Sequence, residues 1–158
     1  MADPAATLIA RLAGRGWTLA TCESLTGGML GATLTAVPGA STVYRGGLIT
    51  YASDLKATLA HVNSTWISQH GVVNEHTAAQ MADGARRRCG AQWGIATTGV
   101  AGPTMQDGQP VGTVWIGVAG PGTEPFARQY LFDGDRAAIR RDTVDAALAL
   151  FLEVSGRE

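Results

Sequence analysis

With 158 residues the chain holds one compact domain, residues 1–158, with no room for a second, and 46% hydrophobic residues supply a substantial core. Twelve basic against thirteen acidic residues leave a net charge of −1, which excludes the broad basic field that holds nucleic acid by counterion release. Charged residues are only 16% of the chain and glycines number 21, a composition that points to a well-buried core and to self-association into a homo-oligomer.

In chain order, Asp3 and Pro4 form an N-cap and first-turn pair, and Leu8, Ile9 and Leu12 recur at helical spacing until Gly14 and Gly16 stop the helix. The opening lacks the charged region, apolar run and cleavage site of an export signal, so a cytoplasmic protein is expected. "WTLAT", residues 17–21, predicts a short buried strand. Residues 27–37 predict a helix ended by Pro38 and Gly39, although Gly31, Thr33 and Thr35 make it poor in isolation. These breaks also exclude a membrane-spanning helix over Ser24 to Tyr44, the longest uncharged stretch. Val43 to Tyr51 is rich in strand formers; Ser53 then caps a short helix carrying Lys56, and Ser64 caps another around Trp66.

Asn74 starts an amphipathic helix with Ala78, Met81, Ala82 and Ala85 inward and an arginine run at its solvated C-terminal end. Gln92 to Thr98 is the next strand, and it empties into the long loop "TGVAGPTMQDGQPVG", of a length that is usually functional. "TVWIGVA" and "FARQYLF" predict a hairpin joined by the longer turn "GPGTEP". Asp133 to Asp135 lead into a last helix with Ile139, Val144, Ala147, Leu148 and Phe151 inward. Alternating helices and strands with one late hairpin predict a three-layer α/β/α sandwich around a mixed, largely parallel sheet.

In such sheets functional groups gather beyond the carboxyl ends of strands. Three segments meet that description: "CESLTGG", "TYASDLK" and "TTGVAGP". In the first, Ser24 and Thr26 offer hydroxyls, and the N–H groups of Thr26, Gly27 and Gly28 suit an anion or a developing oxyanion; plain helix capping is the competing reading. Lys56 lies in the first turn of its helix, where the dipole disfavours a cation. Thr97, Thr98 and Gly99 deliver hydrogen-bonding groups to a strand exit. Arg136 and Arg140, one helical turn apart, can meet a phosphate; pairing of Arg136 with Asp133 or Asp135 is the competing reading. Cys22 and Cys89 lack zinc-ligand spacing and read as reduced thiols; His61, His70 and His76 show no ligand spacing either.

Read together, "ESLTGG", "YRGGLITYASDLK", "HGVVNEHTAAQMADGA", "TTGVAGP", "PVGTVWIGVA" and "FDGDRAAIRRDTVDAAL" resemble the CinA C-terminal domain family, the nicotinamide-nucleotide amidases, from about Leu19 to Leu152. The resemblance implies a bacterial cytoplasmic enzyme that hydrolyses the carboxamide of nicotinamide mononucleotide to nicotinate mononucleotide and ammonia in pyridine nucleotide recycling. It implies no metal or organic cofactor and a small nucleotide substrate, and it too leads one to expect a homo-oligomer; from charge and hydropathy, no nucleic-acid or membrane partner is expected. Leu25 stands where family members often carry Cys, Ala52 and Ser53 replace a frequent Ser-Asn, and the loop "TMQDGQ" is poorer in glycine. Carried over by position, Ser24, Tyr51, Lys56 and Thr98 form the catalytic cluster. The same carry-over puts Arg140 or Arg136 near the phosphate; chemistry then makes Lys56, directly or through Tyr51, the base, and Thr26, Gly27, Gly28 and Gly99 candidate substrate-binding residues. A nucleotide-binding regulator linked to competence or recombination, and an amidase for another small carboxamide, are the alternatives.

Overall fold

The computed structural model describes residues 2–157. Five strands, β1 (Leu19–Glu23), β2 (Tyr44–Ile49), β3 (Trp93–Gly99), β4 (Thr113–Gly120) and β5 (Thr123–Leu131), form one sheet in the order β2-β1-β3-β4-β5. β1 pairs in parallel with β2 and β3, while β4 is antiparallel to both β3 and β5. Four strands therefore run one way and β4 alone runs against them, a mixed and largely parallel sheet in a single α/β domain.

Six α-helices accompany the sheet among the described residues: α1 (Pro4–Arg15), α2 (Met29–Thr35), α3 (Ser53–Thr58), α4 (Ser64–His70), α5 (Glu75–Arg88) and α6 (Arg136–Ser155). Local chemistry sets their ends. Asp3, Asn74 and Asp135 each accept a backbone N–H at the start of α1, α5 and α6, and Gly16, in the left-handed region at φ 66°, closes α1. α1, α2 and α6 bury Leu8, Leu12, Leu30, Leu34, Ile139 and Phe151 against Trp93, Ile95 and Ile116 of one face. α5 buries the predicted stripe of Ala78, Met81, Ala82 and Ala85 on the other.

That second face is built for close approach. A Cβ on Gly94 of β3 would lie 2.0 Å from the Ala82 carbonyl oxygen, and one on Gly117 of β4 would lie 2.1 Å from that of Ala78. Small residues on both sides thus bring the α5 backbone onto the sheet itself.

Several local expectations differ from the structure. β1 begins and ends two residues later than "WTLAT", because Cys22 and Glu23 stay in register with Leu48 and Ile49 on one side and Ala96 and Thr97 on the other. Gly120 pairs with Thr123, which shrinks the predicted long hairpin turn to Pro121 and Gly122; Pro125 is accommodated because β5 is an edge strand. Asn63, not Ser64, caps α4, and α3 starts without a side-chain cap. Arg86 and Arg87 at the end of α5 both pair with Asp83 at 2.8 Å. His70 and His76 rest on the Trp66 ring, with centroid distances of 3.8 and 4.1 Å. Among the described residues no helix is long and apolar enough to cross a membrane, and no group of three His, Cys, Asp or Glu side chains could hold a metal ion.

The two connections leaving and entering β1's neighbours matter most for function. From β1 the chain passes through α2 to β2 on one side, and returns through α3, α4 and α5 to β3 on the other. The strand order reverses at the carboxyl end of β1, which is where a crevice opens in folds of this kind.

Candidate active site

Ser24 follows the last residue of β1 at that reversal, and the turn carrying it is fixed from within. Glu23 is 2% exposed. Its Oε1 accepts the Thr26 hydroxyl at 2.7 Å, the Leu30 N–H at 2.8 Å and the Gly28 N–H at 3.3 Å, and its Oε2 accepts the Gly31 N–H at 3.0 Å. The carboxylate fills the positive mouth of α2, which both satisfies the orphan N–H groups and complements the helix dipole. Thr26 gives its proton to Glu23, so Thr97, 2.8 Å away, donates to Thr26. From outside, Arg140 Nε donates to the Leu25 carbonyl at 2.9 Å and Nη2 to the Thr26 carbonyl at 3.4 Å. The Ser24 N–H itself donates to the Thr97 carbonyl at 3.0 Å, tying the turn to the end of β3.

Lys56 of α3 reaches the same point from the other side of β1. Only 1% of it is exposed. Its Nζ lies 2.9 Å from Ser24 Oγ and 2.6 Å from the Thr50 carbonyl oxygen. None of the ion pairs among the described residues includes Lys56. Burial without a bonded counter-charge lowers its pKa from 10.5 to about 8, an effect that Cys22 and Asp107 partly oppose. Burial also pushes the Cys22 thiol up to about 11, so that neighbour stays protonated near neutral pH. An amine whose pKa is lowered to about 8 and which touches a serine hydroxyl has the chemistry to take that hydroxyl's proton.

A cavity of about 350 Å³ opens in front of Ser24, with Leu25 and Tyr51 on the near side and the loop from Gly99 to Gln106 on the far side. Arg136, at the first turn of α6, spans the two: Nη1 donates to the Gly102 carbonyl and Nη2 to the Tyr51 hydroxyl at 2.8 Å. The wall carries hydroxyls, an amide and this guanidinium, with no carboxylate, imidazole or thiolate of the kind metal ions take.

Of the residues singled out in the sequence, Ser24, Tyr51, Gly99 and Arg136 line this cavity, and Lys56 lies directly behind Ser24. The others stand elsewhere. Thr98 is buried and donates its hydroxyl to the Val72 carbonyl at 2.8 Å. Thr26 is buried with its hydroxyl bonded to Glu23 and Thr97, while in the more open part of the turn the Gly27 N–H donates to Ser24's carbonyl and the Gly28 N–H to Glu23, so those two N–H groups are already engaged. Arg140 is held on backbone carbonyls, which leaves Arg136 as the arginine on the cavity wall. Thr97, expected to offer a hydroxyl at the strand exit, instead braces the Ser24 turn through Thr26, and Glu23 is a brace that the sequence patterns above do not single out. The signal for Glu23 was present, since an acidic residue just before a helix mouth is the expected partner of its N–H groups.

The model of the CinA C-terminal domain matches residues 1–155. A CinA-like protein of Frankia casuarinae is 50% identical over 137 residues, covering 86% of this chain and 31% of its own length. A putative competence-damage inducible protein of Limosilactobacillus reuteri is 45% identical over 148 residues, covering 92% of this chain and 36% of its own. The chain thus spans about a third of the length of these curated relatives. Among solved structures, a competence-damaged protein (CinA) superfamily protein from Escherichia coli superposes with a TM-score of 0.92 at 32% identity, covering 98% of this chain and 93% of that one. The competence/damage inducible protein CihA from Agrobacterium tumefaciens gives 0.90 at 32% identity, covering 95% and 92%. On sequence and fold alike, the chain belongs to the CinA C-terminal domain family.

Proposed function

We propose that this protein is an amidase that hydrolyses the carboxamide of nicotinamide mononucleotide, with Ser24 as nucleophile and Lys56 as base. The observation that carries the reading is the 2.9 Å contact between Lys56 Nζ and Ser24 Oγ, made by a lysine that burial lowers to about 8. Neutral Lys56 takes the Ser24 proton as Oγ attacks the carboxamide carbon. The resulting ammonium then gives a proton to the departing nitrogen; the C–N bond breaks, ammonia leaves, and a nicotinate ester remains on Ser24. Water, deprotonated by Lys56, hydrolyses that ester and restores the hydroxyl.

Two further features support the assignment of roles. The Leu25 N–H, next to the nucleophile on the cavity wall, has no acceptor among the described residues and can hold the tetrahedral oxyanion. Arg136 is a fixed cation on the wall, suited to the nucleotide phosphate, and its hydrogen bond to Tyr51 orients that phenol. Thr98 acts through its bond to Val72 as a support of the site.

Ammonia release from nicotinamide mononucleotide by the purified chain tests the reading. Ser24→Ala should lower turnover at least about 10³-fold while leaving nucleotide binding in place. An alanine variant working at the parental rate would replace the acyl-enzyme with direct attack by water. The second reading, suggested by relatives named competence-damage inducible, is a regulator linked to competence that binds the nucleotide without cleaving it; binding with no ammonia from the parental chain would select it. Equal rates on free nicotinamide would point to another small carboxamide as substrate.

A further inference from the structure

The loop of residues 100–112 between β3 and β4 is longer than the connection requires, and its tip has a specific shape. The Gln106 N–H donates to the Gln109 carbonyl at 3.3 Å and the Gln109 N–H to the Gln106 carbonyl at 2.8 Å, closing a two-residue hairpin turn. Its central residues are Asp107 at φ 51° and Gly108 at φ 73°, the Asp-Gly pair that type I′ turns favour. This turn carries the Asp107 side chain to the connector between α4 and α5. There Oδ2 accepts the Val72 N–H at 2.9 Å.

The connector is shaped to receive that carboxylate. Gly71 has φ 76°, and a Cβ on it would lie 2.6 Å from Asp107 Oδ2 and 2.8 Å from Cγ. The absence of a side chain at position 71 is therefore the notch into which Asp107 fits. Val72 is held at its other backbone group too, since its carbonyl accepts the buried Thr98 hydroxyl at the end of β3. Loop tip, connector and strand end are thus joined through one residue. Thr104, Met105 and Gln106, on the far wall of the cavity, lie within three positions of Asp107. Arg136 holds the same loop at Gly102, so the wall is pinned at both ends.

We infer that Asp107 is a positioning residue: by latching the loop onto Val72 it fixes the far wall of the cavity and so sets affinity for the substrate. The affinity part rests on the amidase reading above. Asp107 also contributes its charge to the field at Lys56, where the neighbouring Cys22 thiol of β1 is protonated near neutral pH, and opposes the lowering of the lysine pKa. Asparagine at this position separates the two effects, because it keeps a carbonyl oxygen for the Val72 N–H and loses the charge.

The test combines amide hydrogen exchange at Val72 with steady-state kinetics on nicotinamide mononucleotide, for Asp107→Ala, Asp107→Asn and Gly71→Ala. Asp107→Ala should speed Val72 exchange and raise KM about tenfold, with kcat moving less than about twofold. Asp107→Asn should keep the exchange protection and the KM, and shift the pH inflection of kcat downward. Gly71→Ala, which evicts the carboxylate from the opposite side, should mimic Asp107→Ala, and the double variant should raise KM no further than either single one. Unchanged Val72 exchange in both Asp107→Ala and Gly71→Ala would overturn the latch. Faster exchange with an unchanged KM would overturn its control of affinity. A parental chain that neither binds nor cleaves the nucleotide would sink the amidase reading and the affinity claim together, while exchange at Val72 would still decide whether the loop is latched.

Discussion

A lysine head group enclosed beside a serine, with one backbone carbonyl and no ion pair for company, is held in an environment that disfavours its charge. Because the Lys56 pKa is lowered to about 8, the fraction of competent base rises through that pH, and the rate of ammonia release should climb on the same curve and level off above it. A pH–rate profile checks this. Lys56→Met should lower kcat at least about 10³-fold at all pH values and leave no inflection near 8. Ser24 and Lys56 stood out in the sequence because a hydroxyl before a glycine turn and a lone lysine in a short helix after a strand are locally conspicuous, although α3 is so short that Lys56 falls in its last turn and not its first. Glu23 precedes a helix mouth and so could be suspected of capping it, but the extent of its bracing could not be read. Its partners are backbone N–H groups up to eight residues downstream, at Gly28, Leu30 and Gly31, and no spacing of side chains marks them. Arg140 was equally ambiguous against Arg136: one helical turn separates a guanidinium bound to carbonyls from one on the cavity wall.

Among elements, α5 and its seat on the sheet carry the sharpest prediction. Gly94→Ala or Gly117→Ala would drive a methyl group into a helix carbonyl that has no rotamer by which to retreat. Each should cost about 3 kcal/mol, at the upper end for overpacking, and lower Tm by roughly 6–12 °C in thermal unfolding. Gly14→Ala in α1 is the contrast. Nothing lies within 4 Å of a Cβ there, so helix propensity alone acts and should raise stability by about 0.8–1 kcal/mol. Helices were legible because Asp3, Asn74 and Asp135 announce their starts and apolar stripes fix their inward faces. Strand limits were less so: β1 and β5 extend to "CE" and "TEP" only because neighbouring strands are present to pair with them, and that information is not local.

For the molecule as a whole, burial of Lys56 ties the proposed activity to stability. The unfolded chain binds a proton at Lys56 up to about pH 10.5, whereas the folded chain releases it near 8. Stability should therefore rise as pH increases from 8 toward 10.5, and below 8 the native state carries a penalty of about 3 kcal/mol from the charged lysine. Chemical denaturation at pH 7 should find Lys56→Met more stable than the parental chain, with the gap closing by pH 10.5; a gap independent of pH would refute the linkage. The layered α/β class was legible from the alternation of patterns, but the strand order that opens the crevice at β1 was not, since periodicity records faces and not neighbours. The Glu23 carboxylate seated in α2 also bears on inhibitor chemistry. An acidic group designed for that helix mouth would meet an occupied socket and a like charge. A reversible boronic acid or a sulfonyl fluoride directed at Ser24, with any anionic tail steered toward Arg136, makes the better starting scaffold.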